Sequence, residues 1–90
     1  MVISDIRIKL LNNEENKLKA IASFTIDDAF IVHEVRIVEG VNGCFIDMPS
    51  RKTPNGDRRD VAHPKNTETR NQISAAILEA YEKAKQEAQQ

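Results

Sequence analysis

A chain of 90 residues, 40% hydrophobic and 30% charged with a formal net charge of −1, has the composition of one small globular domain. At this length only roughly 60–65% of the unfolded surface is buried on folding, so a second subunit would help to stabilise it. Near-neutrality excludes condensation on a polyanion by bulk charge. The single cysteine, Cys44, excludes an internal disulfide and a CxxC zinc site, and with neither a secretory leader pattern nor an apolar run of ~20 residues the expectation is a cytoplasmic protein with no membrane partner.

In chain order, Val2 to Leu11 alternates, with Val2, Ile6, Ile8 and Leu10 predicted on one face and Asp5, Arg7 and Lys9 on the other, as in a half-buried strand. Asn12-Asn13-Glu14-Glu15-Asn16 predicts a turn, and Lys17 to Ile26 a second strand that gathers Leu18, Ala20, Ala22, Phe24 and Ile26 on a shared apolar face. Asp27-Asp28 ends that hairpin. Phe30 to Glu39 reads as a third strand that is apolar on both sides, Ile31, Val35 and Ile37 against Phe30, Val32 and Val38, and such a strand calls for cover on both faces. Asn42-Gly43 predicts a type I′ turn into a fourth strand, Cys44 to Met48.

Pro49 to Asp60, with two prolines and a glycine among polar residues, reads as a long loop, and Arg59 to His63 as its return along a short edge strand. Beyond Pro64, Asn66 or Thr67 is placed to cap a helix. Ile73, Ala76, Ile77, Ala80, Tyr81 and Ala84 then recur at i, i+3, i+4, i+7, i+8 and i+11, one amphipathic helix over about 66–88. The predicted fold is therefore α+β: one domain over 1–90, with a four- to five-stranded antiparallel meander (1–48), a basic loop and short strand (49–63) and a C-terminal helix. One helix covers one face of a sheet, so the second cover is expected to be another copy of the chain.

Charge is unevenly distributed. Residues 1–48 carry five basic and eight acidic side chains, 49–63 four basic and two acidic, and 64–90 four of each. The local excess comprises Arg51-Lys52 and Arg58-Arg59, two basic pairs flanking Thr53-Pro54-Asn55-Gly56-Asp57. Guanidinium and ammonium groups held together suit phosphate oxygens, arginine bidentately and lysine as a point charge. The helix start, with Thr67 and Arg70, offers free backbone N–H groups to the same kind of anion.

Other constellations point to ordinary structure. His33 and His63 assemble into a metal site with Cys44 or Asp60 only by assumption, so no metal and no cofactor are expected. His33 reads as a hydrogen-bonded histidine of the sheet, His63 as a cap of its loop, and Cys44 as a small buried hydrophobe. Glu14-Glu15, Asp27-Asp28 and the Asp57/Asp60 pair occupy predicted turns open to water, and the chain has no P-loop, GxGxxG or GxSxG. The expectation is a binding protein without a small-molecule substrate, not an enzyme; a hydrolase using Asp60 and His63 is the least supported reading.

Several blocks taken together, Phe30-Ile31-Val32-His33-Glu34-Val35-Arg36-Ile37-Val38-Glu39-Gly40, Asn42-Gly43-Cys44-Phe45-Ile46-Asp47-Met48-Pro49-Ser50, Thr53-Pro54-Asn55-Gly56 and Arg59-Asp60-Val61-Ala62-His63-Pro64, resemble the stage V sporulation protein G (SpoVG) family, with ungapped spacing over 28–64. The resemblance implies an antiparallel sheet with a C-terminal helix. It also implies a dimeric regulator that binds DNA or RNA, linked to asymmetric septation, sporulation, capsule formation and virulence expression, with Arg51, Lys52, Arg58 and Arg59 in the region associated with nucleic-acid contact. Three departures accompany it: Arg58 stands where many relatives have an aromatic residue, Cys44 where a larger aliphatic is usual, and the longer acidic tail of some relatives is missing. The alternative function is a protein-interaction adaptor that captures partner strands along an exposed sheet edge.

Overall fold

The computed structural model describes residues 1–11 and 17–88; the turn predicted over 12–16 lies outside the described residues. Strands β1 (Ile3–Leu10), β2 (Leu18–Ile26), β3 (Phe30–Gly40) and β4 (Gly43–Asp47) form an antiparallel meander in the order β1-β2-β3-β4. Strands β5 (Ser50–Lys52) and β6 (Arg58–Asp60) form a separate two-stranded ribbon, and helix α1 (Thr67–Ala88) closes the chain. The fold is the expected α+β, with one correction. The segment read as a loop plus an edge strand at 59–63 pairs with itself, Ser50 with Asp60 and Lys52 with Arg58, and adds no fifth strand to the main sheet.

Helix α1 begins where its side-chain chemistry says it should. Asn66 Oδ1 accepts from the backbone N–H of Thr69 at 2.8 Å, which satisfies one of the otherwise unpaired donors of the first turn, and Asn66 O accepts the first intrahelical bond from Arg70 N at 3.1 Å. Asn66, not Thr67, is the cap. The 3.6-residue spacing buries Ile73, Ile77 and Tyr81 against Ala20, Ala22, Phe24, Val35, Ile37, Ile46 and Met48. Ile77, Val35 and Ile37 are fully buried and form the centre of this core.

Bulges revise the predicted faces. In β1 the register with β2 slips between Ser4 and Arg7, and Asp5 takes φ 48°. One extra residue flips the side-chain alternation, so Ile3 joins Ile6, Ile8 and Leu10 on the core while Val2 is exposed. In β3 four residues, Val32 to Val35, span the stretch that three, Ala22 to Phe24, cover in β2, and Glu34 takes φ 61°. The strand therefore changes face midway: Val32 sides with Val35 and Ile37 on the core, whereas Ile31 is exposed. His33 is exposed too, without the side-chain hydrogen bond expected of it among the described residues.

The β3–β4 turn is also built differently from the expected type I′. Gly40 pairs with Gly43, so Val41 and Asn42 are the central residues, and neither has positive φ; Gly43 follows them at φ 120°. Glycine is favoured at that fourth position, where it relieves the strain of leaving the turn. Opposite the helix, the sheet presents Arg7, Lys9, Ile21, Ser23, Ile31, Arg36, Val38, Phe45 and Asp47 to solvent, with Ile31 and Phe45 more than half exposed. No helix among the described residues is long and apolar enough to cross a membrane.

Candidate nucleic-acid interface

The ribbon is closed at both ends by its backbone. At the tip, Thr53 N donates to Asp57 O at 2.7 Å and Gly56 N to Thr53 O at 3.0 Å, with Gly56 at φ 89°; at the base, Val61 N donates to Pro49 O at 2.7 Å. Proline at position 54 pre-sets one backbone angle of the tip and glycine supplies the left-handed one, so the five-residue turn returns the chain onto itself.

This closure sets the register that brings the basic residues together. Arg51 lies opposite Arg59, and Lys52 opposite Arg58. Successive residues of a strand point to opposite sides, so Arg51 and Arg59 project from one side of the ribbon and Lys52 and Arg58 from the other. All four are exposed. Ser50, which the sequence did not single out, shares the second side: its Oγ accepts from Arg58 Nε at 3.2 Å and from Nη2 at 3.0 Å. That double contact aims the guanidinium and leaves its other amine free to donate. The signal for Ser50 was its spacing, ten residues before Asp60, which becomes meaningful only once the two strands pair.

Two like-charged rungs in succession are costly, because like charges directly opposite each other destabilise a strand pair. Among the described residues none of these four cations has an ion-pair partner; the ion pairs are Lys19–Glu39 at 3.2 Å, Lys83–Glu79 at 3.4 Å and Lys85–Glu82 at 3.9 Å. A phosphate lying along the ribbon would remove that repulsion.

Thr67 and Arg70 lie apart from the ribbon. Both are exposed on the first turn of α1, and among the described residues no hydrogen bond or ion pair joins either to it. The helix start and the ribbon do leave from the same end of the sheet: Met48, one residue before the ribbon's Pro49, lines a cleft with Pro64, Thr69 and Ile73.

The remaining candidates form no second site. His63 places Nδ1 3.0 Å from Pro64 O and stays exposed within its own loop, and no hydrogen bond joins it to Asp60. Among the described residues no three His, Cys, Asp or Glu side chains gather as a metal site requires. Cys44 is half-buried against the core beside Tyr81, and burial together with the nearby Cys44, Glu82 and Glu39 raises the Tyr81 phenol above its ordinary pKa.

Comparison with known proteins bears on the whole chain. A family model described as SpoVG matches residues 1–83. A protein of Thermoanaerobacter sp. (strain X514) named "Putative septation protein SpoVG" is 54% identical over 87 residues, which covers 97% of this chain and 94% of that protein. Proteins of the same name from Clostridium perfringens (strain 13 / Type A), 55% identical over 94% of this chain and 93% of theirs, and Clostridium acetobutylicum, 54% identical over 97% and 90%, are similarly close. A four-stranded meander, a basic ribbon and a C-terminal helix in a chain matched over nearly its whole length mark this protein as a member of the SpoVG family.

Proposed function

We propose that this protein is a homodimeric regulator that binds DNA or RNA through its basic ribbon, and that it acts by binding and not by catalysis. The observation that carries the reading is the pair of like-charged rungs, Arg51 across from Arg59 and Lys52 across from Arg58, on an exposed ribbon outside the core. Such a ribbon is destabilised alone and relieved by a polyanion. Arg70 and the first turn of α1, at the same end of the sheet, supply further contacts to the phosphate backbone. The names carried by relatives add septation as the process in which such a regulator would act, in hosts that sporulate.

Dimerisation is supported by the face of the sheet opposite the helix, where Ile31 and Phe45 stand more than half exposed beside Ile21 and Val38. A second copy laid on that face would bury them and double the number of ribbons acting on one ligand. Binding to labelled DNA and RNA across a salt series, with sedimentation on the same sample, tests both statements. A salt-dependent complex formed by a species of twice the 10.2 kDa chain mass is expected. Absence of binding at low salt would overturn the nucleic-acid reading, and a monomer at micromolar concentration the dimer.

A further inference from the structure

At the end of the sheet from which the ribbon leaves, an apolar cleft of about 240 Å³ opens between the core and the loop that follows β6. Phe24, Ile26, Val32, Met48 and Ile73 line it, and Ala62-His63-Pro64-Lys65 and Thr69 border it. Its entrance carries Phe30, 63% exposed and one of only four aromatic residues in the chain. Phe30 thus presents a largely exposed aromatic ring beside an apolar cleft. The cleft wall is continuous with the ribbon, because Ala62 follows directly on the Val61 N–H bond to Pro49 O that closes the ribbon's base.

Resting on the reading of the ribbon as the phosphate-binding surface, we infer that this cleft receives one unstacked base of a single-stranded nucleic acid, with Phe30 as the stacking ring. Size argues for it: 240 Å³ is below the roughly 300–1,000 Å³ of clefts that hold drug-sized ligands, and suits a single planar ring system. Charge argues for it as well. Lys65, which borders the cleft, places a cation beside the backbone of a base that enters it, while the apolar floor would reject a charged or strongly hydrated group. Single-stranded sites combine a cationic track with an aromatic platform in this way, and a base within a duplex cannot reach such a cleft.

The test measures affinity for a single-stranded oligonucleotide and for the duplex of the same sequence, in the wild type, in Phe30→Ala, in Ala62→Trp, which fills the cleft from its rim, and in the control Val41→Ala. Val41 is fully exposed in the turn between β3 and β4, at the opposite end of the sheet. Phe30→Ala and Ala62→Trp are each expected to weaken single-strand binding by roughly 5- to 150-fold, the range that loss of one stacked base produces, and to leave duplex affinity and salt slope unchanged; Val41→Ala should change neither. Unchanged single-strand affinity in Phe30→Ala, or equal weakening toward duplex, would overturn the cleft while leaving the ribbon reading intact. Loss of the dimer in Phe30→Ala with oligonucleotide affinity retained would assign the cleft to a second copy and overturn it too. Failure of the wild type to bind either form would overturn both readings.

Discussion

Arg51 faces Arg59 across the ribbon, and among the described residues neither has a carboxylate to neutralise it. If these residues and the next rung hold phosphates, each lost contact flattens the plot of log affinity against log salt by about 0.7–0.9. Arg51→Ala/Lys52→Ala and Arg58→Ala/Arg59→Ala should each flatten it by one to two such steps per subunit. Lys83→Ala, which removes an exposed helix pair with Glu79, should not. Titrations at four or more salt concentrations check this, and slopes equal to that of the control would reduce the ribbon to a solvated surface.

Stability and binding should separate at the same rung. Arg59→Glu replaces a like-charged cross-strand pair by an opposite one, worth roughly 0.2–1 kcal/mol to the ribbon. The variant should melt no lower than the wild type by circular dichroism and should bind nucleic acid far more weakly. A substitution that disturbed binding only by unfolding would lower both together.

The bulge at Glu34 makes a paired prediction. Val35 is fully buried against the helix while Ile31, four residues earlier, is exposed on the other side. Val35→Asp places an unpaired charge in the core at a cost of several kcal/mol, comparable to the whole stability of a small domain, and should abolish cooperative unfolding. Ile31→Asp should leave each subunit folded and act on association only, as read by sedimentation. Equal damage from both would contradict the switch of face.

Glu34 itself holds φ 61°, a conformation that costs a residue with a Cβ roughly 1–2 kcal/mol. Glycine relieves that strain at an entropic cost of roughly 0.5–1 kcal/mol. Glu34→Gly is therefore expected to stabilise the protein by about 0.5–1 kcal/mol in urea unfolding, in contrast to glycine substitutions elsewhere in the strand.

Burial raises the Tyr81 phenol, with Cys44, Glu82 and Glu39 adding to the effect. The fold thus favours the neutral form, and that contribution is complete below the unfolded tyrosine pKa of about 10 and is lost as pH rises through the higher folded value. Stability should fall above about pH 10, and Tyr81→Phe, which cannot ionise, should flatten that alkaline decline in melting temperature. An unchanged decline would assign it to other groups.

Much of this architecture was legible in the order of residues. Alternation over Leu18 to Ile26, the 3.6-residue recurrence from Ile73 to Tyr81 and the polar cap at Asn66 are local signals, decided within one strand or one turn of helix, and they translate directly into elements. The basic pairs at 51–52 and 58–59 were equally visible as composition. Their arrangement into two like-charged rungs was not, because register depends on a tip closed by Thr53, Gly56 and Asp57 and on a partner strand eight residues away. The same limit explains Val2 and Ile31. A bulge inserts one residue into a pattern of period two, and whether the chain tolerates left-handed backbone at Asp5 and Glu34 is settled by how β1 and β3 must bend to pack on β2 and the helix. The cleft beside Phe30 belongs wholly to tertiary structure: its walls come from β2, β3, the loop after β6 and the first turns of α1, segments that become neighbours only when the helix folds back across the sheet.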